Sequence, residues 1–242
     1  MNITTDASHV VRSRRSQRPD PATVWSPLAG LADAAANAAT RSHAIAITRG
    51  FDRRSRHRAK ALHELLDARG VPAIEITPAP GSERLLSGSE IAAVVNLVGM
   101  GSWQPHRLAA KLRAPLFVPE PEGESAGSDV IGMTGEDKVR DVALSRVAVR
   151  PEDASAASLT IIRDGEPLCV PGGQIVVTPH QQQLHIHLQG PDFAEQAFTA
   201  AKIGIETLDG PHRLIRDELP LAEFEGALTF TAEPAALVVR NV

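Results

Sequence analysis

A short apolar run at residues 91–99 leads into the turn Gly99-Met100-Gly101-Ser102, after which a helical pattern begins. Glycines let a backbone approach a ligand closely, and the N–H groups at a helix N-terminus favour anions. Gly99, Gly101 and Ser102 are therefore candidate phosphate contacts. The same layout also fits a tight strand-to-helix connection that holds no ligand, because every parallel sheet needs such turns.

A cluster of basic residues follows the first predicted strand and offers positive charge for phosphates. Its members are Arg49, Arg53, Arg54, Arg56, Arg58 and Lys60. Open α/β folds bind ligands at the carboxyl ends of their strands, so Arg49, Gly50 and Arg53 are predicted to join the nucleotide site. The alternative is a solvated helix face, although cations in a first turn oppose the helix dipole.

A histidine pair is a candidate metal site. His185 and His187 stand two residues apart in a strand-like stretch, so they share one face of the strand. A His-x-His pair can ligate zinc or iron, and Asp192 lies near in sequence. The polar outer face of a half-buried strand explains the pair as well, and both interpretations stay open.

Other catalytic patterns receive little support. The chain has no Gly-Lys-Ser/Thr, hence no Walker A motif, and residues 99–101 lack the third glycine of a dinucleotide fingerprint. A Ser-His-Asp hydrolase is not expected, because no Gly-x-Ser-x-Gly elbow is recognised and separate His and Asp residues do not establish a triad. Cys169, beside Val170, is expected to be a small buried residue rather than a nucleophile.

Composition narrows the class of protein. The chain has 242 residues, of which 43% are hydrophobic, 22% charged and 3% aromatic, with a net charge of −4. Scarce aromatics and negative charge argue against nucleic acid as a partner. A single cysteine excludes an intrachain disulfide and a cysteine zinc cluster. No apolar run reaches membrane-spanning length and no signal peptide is seen, so a cytoplasmic protein is expected.

Three segments are predicted along the chain. Residues 1–25 are expected to form a disordered basic tail, with an arm for anionic lipid or nucleic acid as the alternative. Residues 26–128 are predicted to form an α/β nucleotide-binding-like domain, and residues 129–242 a β-rich domain. Exposed strand edges in the second domain make a homodimer compatible with the sequence.

The first domain shows strands alternating with helices. Near-continuous apolar strands of this kind predict a parallel sheet covered on both faces. Helices are predicted over 26–42, 52–69 and 104–114, and strands over 43–49, 71–77, 91–99 and 115–120.

In the second half of the chain, the alternation of predicted strands and helices ends. Residues 123–137 are expected to be loop-like, after which short strands separated by turns predict a mostly β, sandwich-like domain. Asp164-Gly165 signals a hairpin. A single helix is predicted over residues 192–208, with Phe193, Ala197 and Gly204 on one face.

This organisation resembles the superfamily of diacylglycerol kinases and NAD kinases over roughly residues 43–242. In that family an α/β domain precedes a β-sandwich, and the active site lies in the cleft between them. The family's Gly-Gly-Asp-Gly-Thr motif follows the third strand, where residues 98–102 here read Val-Gly-Met-Gly-Ser. Its Asn-Pro-x-Ser-Gly turn corresponds to residues 48–51, and its Asp-Gly-Glu turn to Asp164-Gly165-Glu166.

The departures from the family pattern concern the metal-dependent chemistry. Met100 occupies the aspartate position, and a methionine neither coordinates Mg²⁺ nor accepts a proton. The next loop holds Glu120, Glu122 and Glu124, which supply carboxylates for a replacement metal site. Like charges near a triphosphate would also repel it.

The resemblance implies ATP-dependent phosphoryl transfer to a hydroxyl of a lipid or nucleotide, with ATP and Mg²⁺ as cofactors. Gly99, Gly101 and Ser102 would cradle phosphates, while Asp164 and Glu166 would face the cleft from the second domain. The loss of the motif aspartate favours the alternative, a non-catalytic nucleotide- or lipid-binding module or a regulatory partner.

Overall fold

The computed structural model describes residues 21–39, 43–79, 82–99, 101–119, 127–152, 158–191, 193–208 and 210–242. Residues 1–20 of the expected tail lie outside these ranges, as does Met100. The first helix begins at Pro21, within the segment expected to be a disordered tail.

A parallel-sheet domain is followed by a mostly β region, as the sequence predicts. The described helices are α1 (Pro21–Ala38), α2 (Arg53–Asp67) and α3 (Gln104–Leu112), with a 3-10 helix at Ser82–Leu86. The described strands are β1 (Ala44–Arg49), β2 (Ala73–Ile76), β3 (Ile91–Leu97), β4 (Leu116–Val118), β5 (Ser128–Gly135), β6 (Arg140–Ala143), β7 (Val147–Pro151), β8 (Ser158–Arg163), β9 (Glu166–Pro171), β10 (Gln174–His180), β11 (Gln183–Gly190), β12 (Phe193–Ala200), β13 (Lys202–Leu208), β14 (His212–Arg216), β15 (Leu219–Phe224), β16 (Ala227–Leu237) and β17 (Val239–Asn241).

The parallel sheet has the order β17-β4-β3-β1-β2. Helices α1 and α2 cover one face, where Leu31 and Leu62 pack on Ile45 and Val95. The alternate strand residues, including Ala46, face the opposite side with α3. Strands buried on both faces need apolar residues at every position, which explains the continuous apolar runs.

Helix α2 shows how local sequence sets an element. Asp52 is its N-cap and accepts a hydrogen bond from the Ser55 N–H at 2.8 Å. Ser55, Ala59, Leu62 and Leu66 recur at helical spacing and are buried. The exposed side of α2 carries four members of the basic cluster, Arg53, Arg54, Arg56 and Lys60.

Two six-stranded sheets form the second region. Their orders are β12-β11-β10-β7-β14-β15 and β6-β5-β16-β13-β8-β9. Both contribute to one apolar core, in which Ile175 and Leu184 of the first sheet join Ile131, Ile203 and Phe230 of the second. The region is a β-sandwich, whose inward and outward residues alternate along each strand.

The helix predicted over residues 192–208 is wrong. The chain forms β12 and β13 there, and the two strands belong to different sheets. Ile203 and Ile205 are buried while Lys202 and Glu206 are exposed, a period of two residues. Pairing on both edges of β13 overrides the helix propensity of the alanines.

Two smaller expectations are also corrected. Residues 128–135, expected to be loop-like, form β5 between β6 and β16. Cys169 is exposed rather than buried, because it alternates on β9 with the fully buried Val170. In contrast, the predicted Asp164-Gly165 hairpin is confirmed: both residues have positive φ, 52° and 87°, and join β8 to β9.

The two regions share a core and a strand. Val130 and Val142 of the sandwich pack with Leu108 of α3 and Val94 of the parallel sheet. Strand β17 leaves the sandwich and pairs in parallel with β4. The last strand, predicted to belong to the second domain, therefore completes the sheet of the first.

Candidate functional site

The order of the parallel strands creates a switch point between β1 and β3. The connection after β1 runs to β2 on one side, whereas β3 lies on the other side and continues to β4. Loops that leave two neighbouring strands in opposite directions open a crevice at the carboxyl edge, where open α/β folds bind ligands. The two loops at this crevice are residues 50–52 and 98–103.

Ser55 ties these two loops together. Its Oγ accepts the Gly50 N–H at 2.7 Å and donates to the Leu97 carbonyl at 3.0 Å. The Ser55 residue is only 5% exposed, so both bonds are shielded from water. Asn96 holds the second loop from within, because its Oδ1 accepts the Val98 N–H at 2.9 Å. These hydrogen bonds hold the backbone of both loops at the base of the crevice.

The glycine turn has the backbone that its sequence predicts. Gly99 and Gly101 have φ of 96° and 95°, a region that favours glycine. A Cβ added at either would meet nothing within 4 Å, so open space faces the turn on those sides. Met100, which lies between them, falls outside the described residues.

Helix α3 begins just after the turn. Trp103 is its N-cap residue and makes no side-chain cap hydrogen bond. The first turn of α3 contains no acidic residue, so its N–H groups are not neutralised by a local carboxylate. Ser102, half-buried, sits at the entry to this helix.

The basic residues of the sequence cluster play different parts. Arg49 is already hydrogen-bonded within the protein. Its Nε donates to Glu75 Oε2 at 2.7 Å, and its Nη1 donates to the Gly50 carbonyl at 3.2 Å. Arg53 is exposed at the start of α2, on the crevice side of the sheet. Arg49 therefore shapes the loop, and Arg53 offers charge near it.

Asp52, the N-cap of α2, also places a carboxylate on the first of these loops. The Ser55 N–H hydrogen bond is the main cause that lowers the pKa of Asp52, and burial partly opposes it. The Asp52 carboxylate is therefore ionised at neutral pH. Its Oδ1 is used by the cap, while Oδ2 lies 2.9 Å from the position that a Cβ on Gly50 would take.

The residues predicted to face the cleft from the second domain lie elsewhere. Asp164 and Glu166 sit on the β8–β9 hairpin, at the opposite end of its sheet from β6. They line a surface pocket with Arg163, Gln196 and Phe198, all from the sandwich. The structure places them on this hairpin and does not bring them to the glycine turn.

The predicted metal ligands divide into two groups. Glu120, Glu122 and Glu124 lie outside the described residues. Within the described ranges, no group of three or more His, Cys, Asp or Glu side chains is placed to hold a metal ion. His185 and His187 face outward on β11, and His187 Nε2 lies 2.6 Å from Glu195 Oε1. These positions agree with the polar-face interpretation, while Asp192 of the candidate metal site lies outside the described residues.

The expectation that the chain has no Gly-x-Ser-x-Gly elbow needs a correction, because this pattern does occur at residues 123–127. In hydrolases this pattern forms a nucleophile elbow between a strand and a helix. Here the segment connects β4 to β5, so a strand follows it rather than a helix. The required structural context is not met.

The family resemblance led us to expect a cleft between the two regions, but sequence reasoning did not identify the residues that line it. A cavity of about 1200 Å³ is lined by the 3-10 helix, α3, β6 and the β14–β15 hairpin. It contains Arg107, Lys111 and Arg216, together with Glu83 and Asp141. Arg107 and Lys111 stand four residues apart on α3, which was a signal for a shared face. Arg216 becomes their neighbour only through the tertiary fold.

Comparison with known proteins leaves the family open. No protein-family model matches the chain, and no curated protein matches it. An NAD kinase from Archaeoglobus fulgidus in complex with ATP aligns over 78% of this chain and 90% of its own, at 16% identity and a TM-score of 0.45. A 2,5-dihydroxypyridine dioxygenase from Pseudomonas putida KT2440 aligns over 88% and 96%, at 11% identity and a TM-score of 0.27. Both scores are below 0.5, so neither likeness supports a statement about this chain's activity.

No helix in the described parts of the chain is both long and apolar enough to cross a membrane.

Proposed function

We propose that the protein binds a nucleotide polyphosphate, ATP as the first candidate, at the crevice between the loops after β1 and β3. One observation carries the proposal. Gly99 and Gly101 hold positive φ with open space at both Cβ positions, and they lead directly into α3. Such a turn exposes backbone N–H groups to an anion at a helix N-terminus.

The charges around the crevice support an anionic ligand. Arg53 lies exposed at the start of α2, and neither α2 nor α3 has an acidic residue in its first turn. Ser102 supplies a hydroxyl beside the turn, which is a common donor to phosphate oxygens. Placing three cations at the start of α2 opposes that helix's own dipole, a cost that a bound anion offsets.

The finer form of the proposal is kinase-like phosphoryl transfer from ATP to a hydroxyl of a lipid or nucleotide. Such transfer depends on positioning and on Mg²⁺ to neutralise the phosphates. Asp52 is the described carboxylate on the crevice loops, and Glu122 and Glu124 are the further acids that we assign to a metal. Lipid or nucleotide would then be the second substrate.

A second candidate is a non-catalytic module that binds the nucleotide as a sensor or as a regulatory partner. Met100 favours it, since the turn itself carries no carboxylate. Removing one metal-positioning group lowers a rate tenfold for each 1.4 kcal/mol of lost transition-state stabilisation. Binding is common to both candidates, so it is tested first.

The binding test compares two serines at opposite ends of β3. Ser102 follows the strand and Ser89 precedes it on the far edge of the sheet, exposed. ATP at about a hundred times its dissociation constant adds about 2.7 kcal/mol of stability, or about 5–10 °C in Tm for a chain of this size. We expect Ser102→Glu to abolish this shift and Ser89→Glu to retain it. A shift that both variants keep would place the nucleotide elsewhere, and no shift with wild type would refute binding.

The catalytic test follows ADP release with and without Mg²⁺, in the presence of hydroxyl acceptors. Magnesium-dependent release supports the phosphotransferase, and ATP binding without turnover supports the module. We expect Met100→Asp to raise any basal rate because it adds an oxygen ligand at the turn. If ATP binding is intact and the rate does not rise, Met100 is not the missing catalytic element.

A further inference from the structure

The cleft between the two regions contains an arginine that has no carboxylate partner among the described residues. Arg107 Nη1 is buried and donates no hydrogen bond to any described residue. Burial is the main cause that lowers the pKa of Arg107, and the positive charge of Arg216 adds to it. An arginine remains protonated even so. The two positively charged guanidinium groups of Arg107 and Arg216 therefore repel each other inside the cleft.

The carboxylates near this pair are already engaged. Asp141 forms an ion pair with Arg216, and its other oxygen accepts the Val142 N–H at 2.9 Å. Glu83 lies 2.9 Å from Lys111 Nζ. None of the three bonds involves Arg107.

Asp217 is occupied by backbone. Its Oδ1 accepts the N–H groups of Ser145 at 2.9 Å and Leu144 at 3.0 Å, as well as the Ser145 hydroxyl at 3.1 Å. It raises the pKa of Arg107 from a distance without bonding to it. Arg216 likewise keeps a buried Nε without a partner in the described structure. Counted with the neighbouring Asp217, the cavity carries three carboxylates against four cations, Arg84, Arg107, Lys111 and Arg216, so its net charge favours an anionic ligand.

Part of the cavity wall is apolar. Leu86 and Leu108 are buried in its wall, and Val139, Leu219 and Leu221 are exposed at 59%, 50% and 41%. Large exposed apolar side chains grouped on one surface mark a binding site more often than chance scatter does. At about 1200 Å³ the cavity exceeds the range of about 300–1000 Å³ that is typical of small-molecule sites.

We propose that this cleft binds an amphipathic organic anion, whose phosphate or carboxylate pairs with Arg107 and Arg216 and whose apolar body covers Leu219 and Leu221. A guanidinium pair matches the planar or trigonal array of oxyanion acceptors, and a desolvated pocket strengthens the charged hydrogen bonds. The lining of the cleft includes Gln104 on α3 but not Gly99, Gly101 or Ser102, so the site does not require nucleotide binding at the glycine turn.

The test uses four small probes: decyl phosphate and decanoate below their critical micelle concentrations, decanol below its solubility limit, and inorganic phosphate. Isothermal titration with the full chain should show binding of decyl phosphate or decanoate, and the one that binds identifies the headgroup. Decanol and inorganic phosphate should bind at least about tenfold more weakly, since each lacks one half of the interaction. Equal binding of either one would overturn the amphipathic proposal.

The matched variants are Arg107→Gln in the cleft and Arg150→Gln on β7, where Arg150 is exposed. Arg107→Gln should weaken the anionic probe about tenfold or more, the loss expected for a charged hydrogen bond, and Arg150→Gln should not. The Tm of unliganded Arg107→Gln should stay level or rise, because no partner is lost. Unchanged probe affinity in Arg107→Gln would refute the proposal.

Two further variants separate this site from the nucleotide proposal and from a folding defect. Leu219→Gln changes an exposed side chain and should weaken decyl phosphate without lowering Tm. Ser102→Glu should leave probe binding unchanged even where it abolishes the ATP shift. Loss of probe binding in Ser102→Glu would show that a single site had been measured twice, and would overturn a separate cleft site.

Discussion

Replacing Ser55 with alanine tests whether one buried hydroxyl fixes the crevice. Its Oγ takes the Gly50 N–H at 2.7 Å and donates to the Leu97 carbonyl at 3.0 Å, so it joins the loop after β1 to the end of β3. Alanine keeps the helix and the Cβ but removes both bonds. Ser55 is 5% exposed, so water replaces the hydroxyl poorly.

The magnitude follows from what is left unpaired. A net hydrogen bond contributes about 0.5–1.5 kcal/mol, and a buried polar group left without a partner costs about 1–3 kcal/mol. With two bonds lost around one residue, we expect Ser55→Ala to lower the free energy of unfolding by about 2–3 kcal/mol. For a chain of this size that corresponds to a fall in Tm of about 4–12 °C.

Urea denaturation followed by circular dichroism measures the change, with Ser89→Ala as the exposed control. Ser89→Ala should change stability by less than about 0.5 kcal/mol. ATP affinity should fall in Ser55→Ala, because the two loops lose their shared anchor. A Ser55→Ala protein as stable as the Ser89→Ala control would refute the idea that this hydroxyl joins the loops.

Two further predictions concern the backbone and pH. Gly101→Ala should lower the free energy of unfolding by about 1–2 kcal/mol, because alanine disfavours the positive φ at this position. Gly30→Ala, inside α1 with ordinary contacts, should raise it by about 0.5–1 kcal/mol. The urea midpoint should therefore fall in the first variant and rise in the second, and changes in the same direction would contradict the prediction. Burial lowers the pKa of His106 and His212 below the ordinary 6.5. The unfolded chain then binds more protons below pH 6.5, so stability should be flat above that pH and fall as pH drops below it. Melting curves from pH 7.5 to 5.0 measure this, and His212→Gln should show a shallower fall; an identical slope in the variant would exclude His212 as a cause.

Patterns that depend on near neighbours were read correctly from the sequence. The apolar periods of 43–49 and 91–99 located β1 and β3, and Asp164-Gly165 located a hairpin, because the turn's positive φ angles are a local property. The positive φ of Gly99 and Gly101 agrees with the predicted glycine turn. Their ligand stays a prediction.

Features that depend on contacts between residues far apart in the chain could not be predicted from the sequence. Alanine-rich residues 192–208 have helical propensity, but pairing with β11, β8 and β16 makes them strands. Asp164 and Glu166 match the family's Asp-Gly-Glu turn, but the position of this turn in the molecule depends on the strand order. That order puts the β8–β9 hairpin at the edge of the sheet opposite β6. Arg107 and Arg216 lie 109 positions apart in the chain, so only the fold brings them to one cleft.

The return of β17 to the parallel sheet means that the first domain is not a continuous stretch of chain. Cutting the protein after residue 128 would strip β4 of a neighbour and leave an open strand edge, which invites pairing with another molecule. Two chain crossings and a shared apolar core couple the halves mechanically. The natural unit for dissection, fusion or tagging is therefore the whole span from 21 to 242, and heat should melt it in one cooperative transition rather than domain by domain.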